Sequence, residues 1–207
     1  MSALYCVIAV LMNIYAMKPL GTENVMICDA GLTISWLVFL ISNIITEVWG
    51  DKTATKLFTF ATAVCFLFAV LAALLVRVPS PAPEQAEAFK QIFSNGPRTI
   101  LASVSAFWVG NFINVKIIAG MKKRTSGDSS TKFFSRSVVS TLFGQMVDNA
   151  MFEILAFAPL GISVFELTWY QIATAVLLGT LLELAVESIF VPLITIPATK
   201  MLKNKIA

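Results

Sequence analysis

Gln145, Asp148, Asn149 and Glu153 stand inside an otherwise apolar stretch, residues 133–159, FFSRSVVSTLFGQMVDNAMFEILAFAP. As a helix at about 1.5 Å per residue it spans roughly 40 Å, long enough to cross a bilayer, and Asp148 falls near its middle. An ionised carboxylate at that depth is costly against lipid, so it is expected to face the bundle interior, a partner or a water-filled cavity. Gln145, Asp148, Asn149 and Phe152 occur at i, i+3, i+4 and i+7 and share one helix face. Such groups also serve as hydrogen-bonded struts between helices. A ligand or ion site is the favoured reading.

Three other polar sets lie in apolar surroundings. Asn43 and Glu47, four apart with Thr46 beside them, end the run ISNIITEVWGD. Glu47 sits close to water, where a salt-bridged and a functional glutamate are equally natural. Trp108, Asn111 and Asn114 fall at i, i+3 and i+6 on one broad face, with Gly110 between them. Glu183 and Glu187 are one turn apart, and two like charges at that spacing in low dielectric require that at least one be protonated, paired or bound to something.

The elements that position these groups are membrane helices. The chain has 207 residues, 57% of them hydrophobic and only 13% charged, with a mean hydropathy of +0.83. That leaves too little polar surface for an ordinary soluble domain. Uncharged runs recur at residues 1–17, 30–46, 57–76, 99–115, 137–147 and 167–182. They predict an all-α, single-domain bundle over residues 1–207, with six spans at about 2–17, 30–49, 55–76, 98–120, 133–159 and 169–196. Long apolar helices are not the alternating short strands of an outer-membrane barrel.

The third span is hydrophobic all round and reads as lipid-facing packing, and the Pro-rich connection 77–97 reads as a surface loop with a short amphipathic segment. Gly50 is placed as a helix cap, and Pro192 and Pro197 as the end of the last span. With both termini cytoplasmic, eleven of the fifteen Lys and Arg lie inside: Lys52, Lys56, Lys116, Lys122, Lys123, Arg124, Lys132, Arg136, Lys200, Lys203 and Lys205. Lys18, Arg77, Lys90 and Arg98 remain outside, as the positive-inside rule favours. In that arrangement Glu47, Asn111 and Asn114 lie in the inner half and Gln145, Asp148 and Glu183 near the midplane, so that they could line one pocket open to the cytoplasm.

The chain has no histidine, which removes the commonest catalytic base and metal ligand. Cys6, Cys28 and Cys65 are scattered and read as small apolar residues. No metal, cofactor or enzymatic role is expected, and no basic aromatic surface suits nucleic acid.

The segments ISNIITEVWGDKTA and RSVVSTLFGQMVDNAMFEILAF resemble the queuosine precursor transporter family, also called the vitamin uptake transporter family. The matching positions are Glu47, Trp49 and Gly50, then Ser140, Thr141, Gln145, Asp148 and Phe152; Asn43 stands where aspartate is expected and Asn149 where threonine is. The resemblance implies an inner-membrane transporter that imports 7-deazaguanine precursors of queuosine, or queuine, with the lipid bilayer and a purine-like small molecule as partners and a homodimer left open. Asn43, Glu47, Trp108, Asn111, Asn114, Gln145, Asp148, Asn149 and Glu183 are then the substrate-binding candidates, with Trp108 a stacking surface for the ring. The alternatives are a binding subunit with an energising ATPase partner, an intramembrane enzyme using Asp148 and Glu183, and an assembly subunit of a larger complex.

Overall fold

The computed structural model describes every residue except Met17, 23–25, 94–96, 125–128, 162–165 and Ala207. The predicted end of the first helix at residue 17, and parts of the connections around 94–96 and 125–128, therefore lie outside the described residues. Eight α-helices and one two-stranded ribbon are described. They are α1 Ser2–Tyr15, β1 Pro19–Gly21, β2 Met26–Asp29, α2 Leu32–Trp49, α3 Asp51–Leu75, α4 Pro83–Phe93, α5 Pro97–Arg124, α6 Ser130–Phe157, α7 Trp169–Phe190 and α8 Ile196–Ile206, with a π-helical turn, Val191–Thr195, joining α7 to α8.

Local chemistry sets the boundaries. Gly50 adopts a φ of +86°, in the region that glycine tolerates best, and this lets α3 begin directly after α2. Thr168 and Gln171 cap the start of α7 reciprocally: the Gln171 amide N–H donates to the Thr168 hydroxyl, and the Thr168 amide N–H donates to the Gln171 side-chain oxygen. Lys122, Lys123 and Arg124 occupy the last turn of α5, where cations complement the helix dipole. Pro192 has no amide hydrogen to give the ladder, and the chain passes it by widening into the π-helical turn.

Two expectations are corrected here. The last span does not stop at Pro192 and Pro197, because helix continues to Ile206, with Pro197 directly after the π-helical turn at the second position of α8. Nor is α3 lipid-facing all round. Ala54, Phe58, Ala61, Cys65 and Ala72 form a buried stripe, while Phe60, Leu67, Leu71 and Leu75 are exposed on its other face. The antiparallel ribbon, in which Leu20 pairs with Cys28, was not foreseen.

Four helical stretches are long and apolar enough to cross a membrane: Leu32–Trp49, Asp51–Leu75, Leu101–Arg124 and Trp169–Lys205. α1 is apolar but only 14 residues long. α6 has 28 residues, and the polar groups of the site interrupt its apolar character. Successive long helices alternate in direction. One end of the bundle gathers the end of α2, the starts of α3 and α6, the end of α5 and α8. The other end gathers the ribbon, α4 and the turn in which the Leu167 amide donates to the Phe157 carbonyl.

α5 and α6 make the most extensive helix pair, and two glycines permit it. A Cβ on Gly110 would sit 2.7 Å from the Asp148 Cβ and 2.9 Å from the Gly144 carbonyl oxygen, and one on Gly144 would sit 2.8 Å from the Asn114 Cβ. Those distances exclude any larger side chain without separating the helices, as in other small-residue crossings of membrane helices. Gly120, by contrast, has open space where its Cβ would be. Gly144→Val is therefore expected to destabilise the fold by about 1–3 kcal/mol or more, read as a lower melting temperature in detergent or loss of expression, while Gly120→Ala melts as the parent does.

Candidate functional site

The predicted site residues separate into three levels along the bundle. At the end formed by α8, Glu47 is buried, with 1% of its surface exposed. Its Oε1 is met by Lys203 Nζ at 3.0 Å, Arg136 Nη2 at 3.2 Å and Lys122 Nζ at 3.4 Å. Arg136 is itself buried, and the Lys116–Asp51 pair lies beside this cluster at 3.0 Å. Glu47 is thus the anchor that fastens α5, α6 and α8 to the end of α2.

Among the described residues, the middle level has no cation in contact with it. Asn114 Nδ2 donates to Asn43 Oδ1 at 2.8 Å, and Asn43 Nδ2 donates to Thr141 Oγ1 at 3.1 Å and to Glu187 Oε1 at 2.9 Å. Thr141 Oγ1 donates to the same Glu187 oxygen at 2.7 Å. Four helices, α2, α5, α6 and α7, are joined by this network. Gln145, one turn beyond Thr141 on α6, is fully buried, and neither of its amide atoms has a hydrogen-bond partner among the described residues.

The third level is a cavity of about 60 Å³. Asp148 and Asn149 of α6, Glu183 of α7, Ser35 of α2, Asp29 and Gly31 at the end of the ribbon, and Asn13 and Ser103 supply its polar lining. Phe107 and Phe152 supply ring surfaces. Glu183 is held on both sides: Ser35 Oγ donates to Oε1, and Asn149 Nδ2 donates to Oε2 at 3.0 Å and to Thr180 Oγ1 at 3.1 Å. Asp29 accepts from the Gly31 amide at 2.7 Å, and burial nevertheless pushes its carboxyl up to about 6. Asp148 lines the cavity with no hydrogen bond or ion pair among the described residues. A second cavity of about 70 Å³, with a mostly apolar lining, shares Asn13, Ala16, Ser103 and Phe152 with the first.

The structure therefore brings Asp148, Asn149 and Glu183 together and leaves the other six candidates outside the cavity. The expected single pocket is divided: Glu47 borders a separate cavity of about 350 Å³, lined also by Phe133, Thr199 and Lys203. Leu32 at the cavity and Glu47 at the ion cluster are fifteen residues apart on α2, roughly 22 Å at 1.5 Å per residue. Asn43 and Asn114 belong to the middle network, and Gln145 borders it. Asn111 is a strut, accepting from the Tyr5 hydroxyl at 2.7 Å and donating to the Phe107 carbonyl at 2.9 Å. Trp108 is turned away to α3: its ring is stacked on Phe112, set edge-on to Phe58, and its N–H donates to Thr59 at 3.2 Å. The ring surfaces at the cavity are those of Phe107 and Phe152 instead.

Asp29 and Ser35 escaped the sequence reading, and Asn13 and Ser103 were not among its substrate-binding candidates. They sit at helix ends or among small residues, where a polar side chain is unremarkable without its neighbours. Asp29 alone left a signal, as an acid directly before an apolar run.

The ion cluster predicts a separation of stability from binding. Removing one partner of a buried pair costs about 3–5 kcal/mol. Glu47→Gln is therefore expected to lower the melting temperature sharply without touching the cavity, and the double variant Glu47→Gln/Arg136→Gln to recover part of the loss. Melting curves of the parent, the two single variants and the double variant measure this, and equal melting temperatures throughout would contradict it.

No curated protein and no solved structure matches this chain. The sequence model of the vitamin uptake transporter family matches residues 29–196. The match opens on Asp29 of the cavity and runs through α2, α5, α6 and α7, which carry Ser35, Asp148, Asn149, Glu183 and the Glu47 anchor. With most of its length covered and every cavity carboxylate inside the match, the chain belongs to the vitamin uptake transporter family.

Proposed function

We propose that this protein is a carrier, not an enzyme, that imports 7-deazaguanine precursors of queuosine, or queuine, across the cytoplasmic membrane. The observation that carries this reading is Asp148, an acceptor without a partner among the described residues, in a cavity whose other wall offers Glu183 and whose faces are Phe107 and Phe152. A guanine-type ring presents two parallel donors, N1–H and its exocyclic amine, to which a carboxylate is the matching acceptor. Its flat faces pack against aromatic rings. The adjoining apolar cavity suits the substituent on the five-membered ring, which differs between the cyano, aminomethyl and queuine forms.

The membrane arrangement belongs to the same proposal. α1, α2, α3, α5, α6 and α7 are read as six crossings, with α1 and α6 tolerated at membrane depth because their polar groups are spent inside the bundle. The end with Lys122, Lys123, Arg124, Arg136, Lys200 and Lys203 is read as cytoplasmic, which puts the cavity toward the outer side. Reporter fusions after residue 207 and in the connection 77–97 are expected on opposite sides of the membrane, the first inside. Finding both on one side would remove this topology.

Uptake tests the substrate. In a strain that cannot make queuosine precursors, expression is expected to restore queuosine in tRNA at low external precursor, and a well-expressed protein that restores none of the three forms refutes the proposal. Asp148→Asn replaces an acceptor oxygen with a donor facing a donor. A hydrogen bond to a charged group is worth about 1.5–3 kcal/mol, so affinity is expected to fall at least tenfold, a decade being about 1.4 kcal/mol. The near-isosteric amide should leave the melting temperature unchanged. Unchanged affinity in the purified variant would remove Asp148 from the site.

A further inference from the structure

Glu183 and Glu187 form a second chemical unit beneath the cavity. They lie one turn apart on α7, about 6 Å along its axis, and are 2% and 0% exposed. Among the described residues only neutral donors touch them: Ser35 and Asn149 at Glu183, Thr141 and Asn43 at Glu187, whose Oε2 has no partner there. Neither has a Lys or Arg within ion-pair distance among the described residues. The charged and titratable groups on the elements around them are mostly acidic: Asp29 and Cys28 from β2, Asp148 and Glu153 from α6, and Glu47 from α2. Arg136 of α6, Lys122 of α5 and Lys203 of α8 are the nearest cations, and they converge on Glu47 Oε1.

Two carboxylates packed this closely, away from water and without a countercharge, oppose each other when both are ionised, and a shared proton relieves that opposition. Glu183 faces the cavity and Glu187 does not. A ligand donating hydrogen bonds to Glu183 holds it as the carboxylate and leaves the proton on Glu187. By linkage, a proton on Glu187 strengthens ligand binding to the same degree.

We infer that the Glu183–Glu187 pair is a proton site and that the proton is the co-transported ion, entering with the ligand on the cavity side and leaving at the end of the bundle marked by Glu47. This rests on the transport reading above. One proton crosses with each ligand, and no bond of the ligand is made or broken. Glu187 is the positioning point of the proton, not a contact of the ligand.

Proteoliposomes of the purified protein, with 7-cyano-7-deazaguanine as the probe and an alkaline interior, test it. The parent is expected to accumulate the probe above the external concentration, approaching about tenfold per unit of pH gradient for one proton per ligand, and to lose this on adding a protonophore. Glu187→Gln, whose Oε1 can still accept from Thr141 and Asn43, is expected to fill only to equal concentrations and to ignore the gradient. Its affinity, read as thermal stabilisation by the probe at fixed pH, should stay within about threefold of the parent. Gradient-insensitive filling by the parent overturns the coupling and leaves the transport reading standing, and accumulation by Glu187→Gln overturns the assignment to Glu187. If none of the three precursors is carried, the transport reading fails, and dicyclohexylcarbodiimide, which modifies protonated carboxyls in apolar surroundings, then decides the proton site on the parent protein. Modification of Glu187 near pH 7 upholds it; an unmodified Glu187 overturns it.

Discussion

The close approach of α5 and α6 at Gly110 and Gly144 is the constraint on which the interior depends. Two backbones meet where neither residue has a side chain, and the space saved is used at once by Asp148 and Asn114, whose Cβ atoms lie against those glycines. Asp148 reaches the cavity because Gly110 leaves room beside it, and Asn114 reaches Asn43 on α2 across the same contact. The crossing thus fixes both the binding cavity and the hydrogen-bonded layer below it. Hydrophobic sequestration gives little drive for helix association in lipid, so shape complementarity at such contacts carries more of the specificity than it does in a soluble bundle.

From that crossing the polar groups sort by the kind of compensation they receive. At the Glu47 end, charge meets charge, and one carboxylate gathers cations from α5, α6 and α8. In the middle, Asn43, Asn114 and Thr141 bond one another and one oxygen of Glu187. At the cavity, Asp148 has no partner among the described residues. Groups at membrane depth are expensive unless they are used, and this gradient, from ion-paired anchor to open acceptor, distinguishes the residues that hold the fold from those available to a ligand. It also explains how nine polar residues of similar appearance divide into different roles.

The fold class and family were legible because they rest on properties that local sequence states directly. Apolar runs separated by Pro, Gly and Lys dictate helices and their breaks, and the segments around Glu47 and Asp148 carry the family's pattern in the right order. The continuation past Pro192 was not legible, because a π-helical turn forms only when surrounding packing makes it cheaper to widen the ladder than to break it. The ribbon of Leu20 and Cys28 likewise depends on its seat against α7.

For the site, the sequence determined which side chains are too polar for lipid and which of them share a helix face. That sufficed for Asp148, Asn149 and Glu183. It could not say which faces meet, since a helix face is defined by a period of 3.6 residues but its partner is chosen by how neighbouring helices cross and how closely they can approach. Trp108 and Asn111 looked alike in sequence to cavity residues, yet the crossing of α5 turns the first toward α3 and the second toward Tyr5 of α1. Asp29 and Ser35 lie far from Asp148 along the chain and meet it only because α2 starts where α6 passes the cavity. The sequence by itself set the inventory of buried polar groups; tertiary packing alone decided which became an anchor, which a strut and which an open acceptor, because that depends on the charge and reach of neighbours distant in the chain.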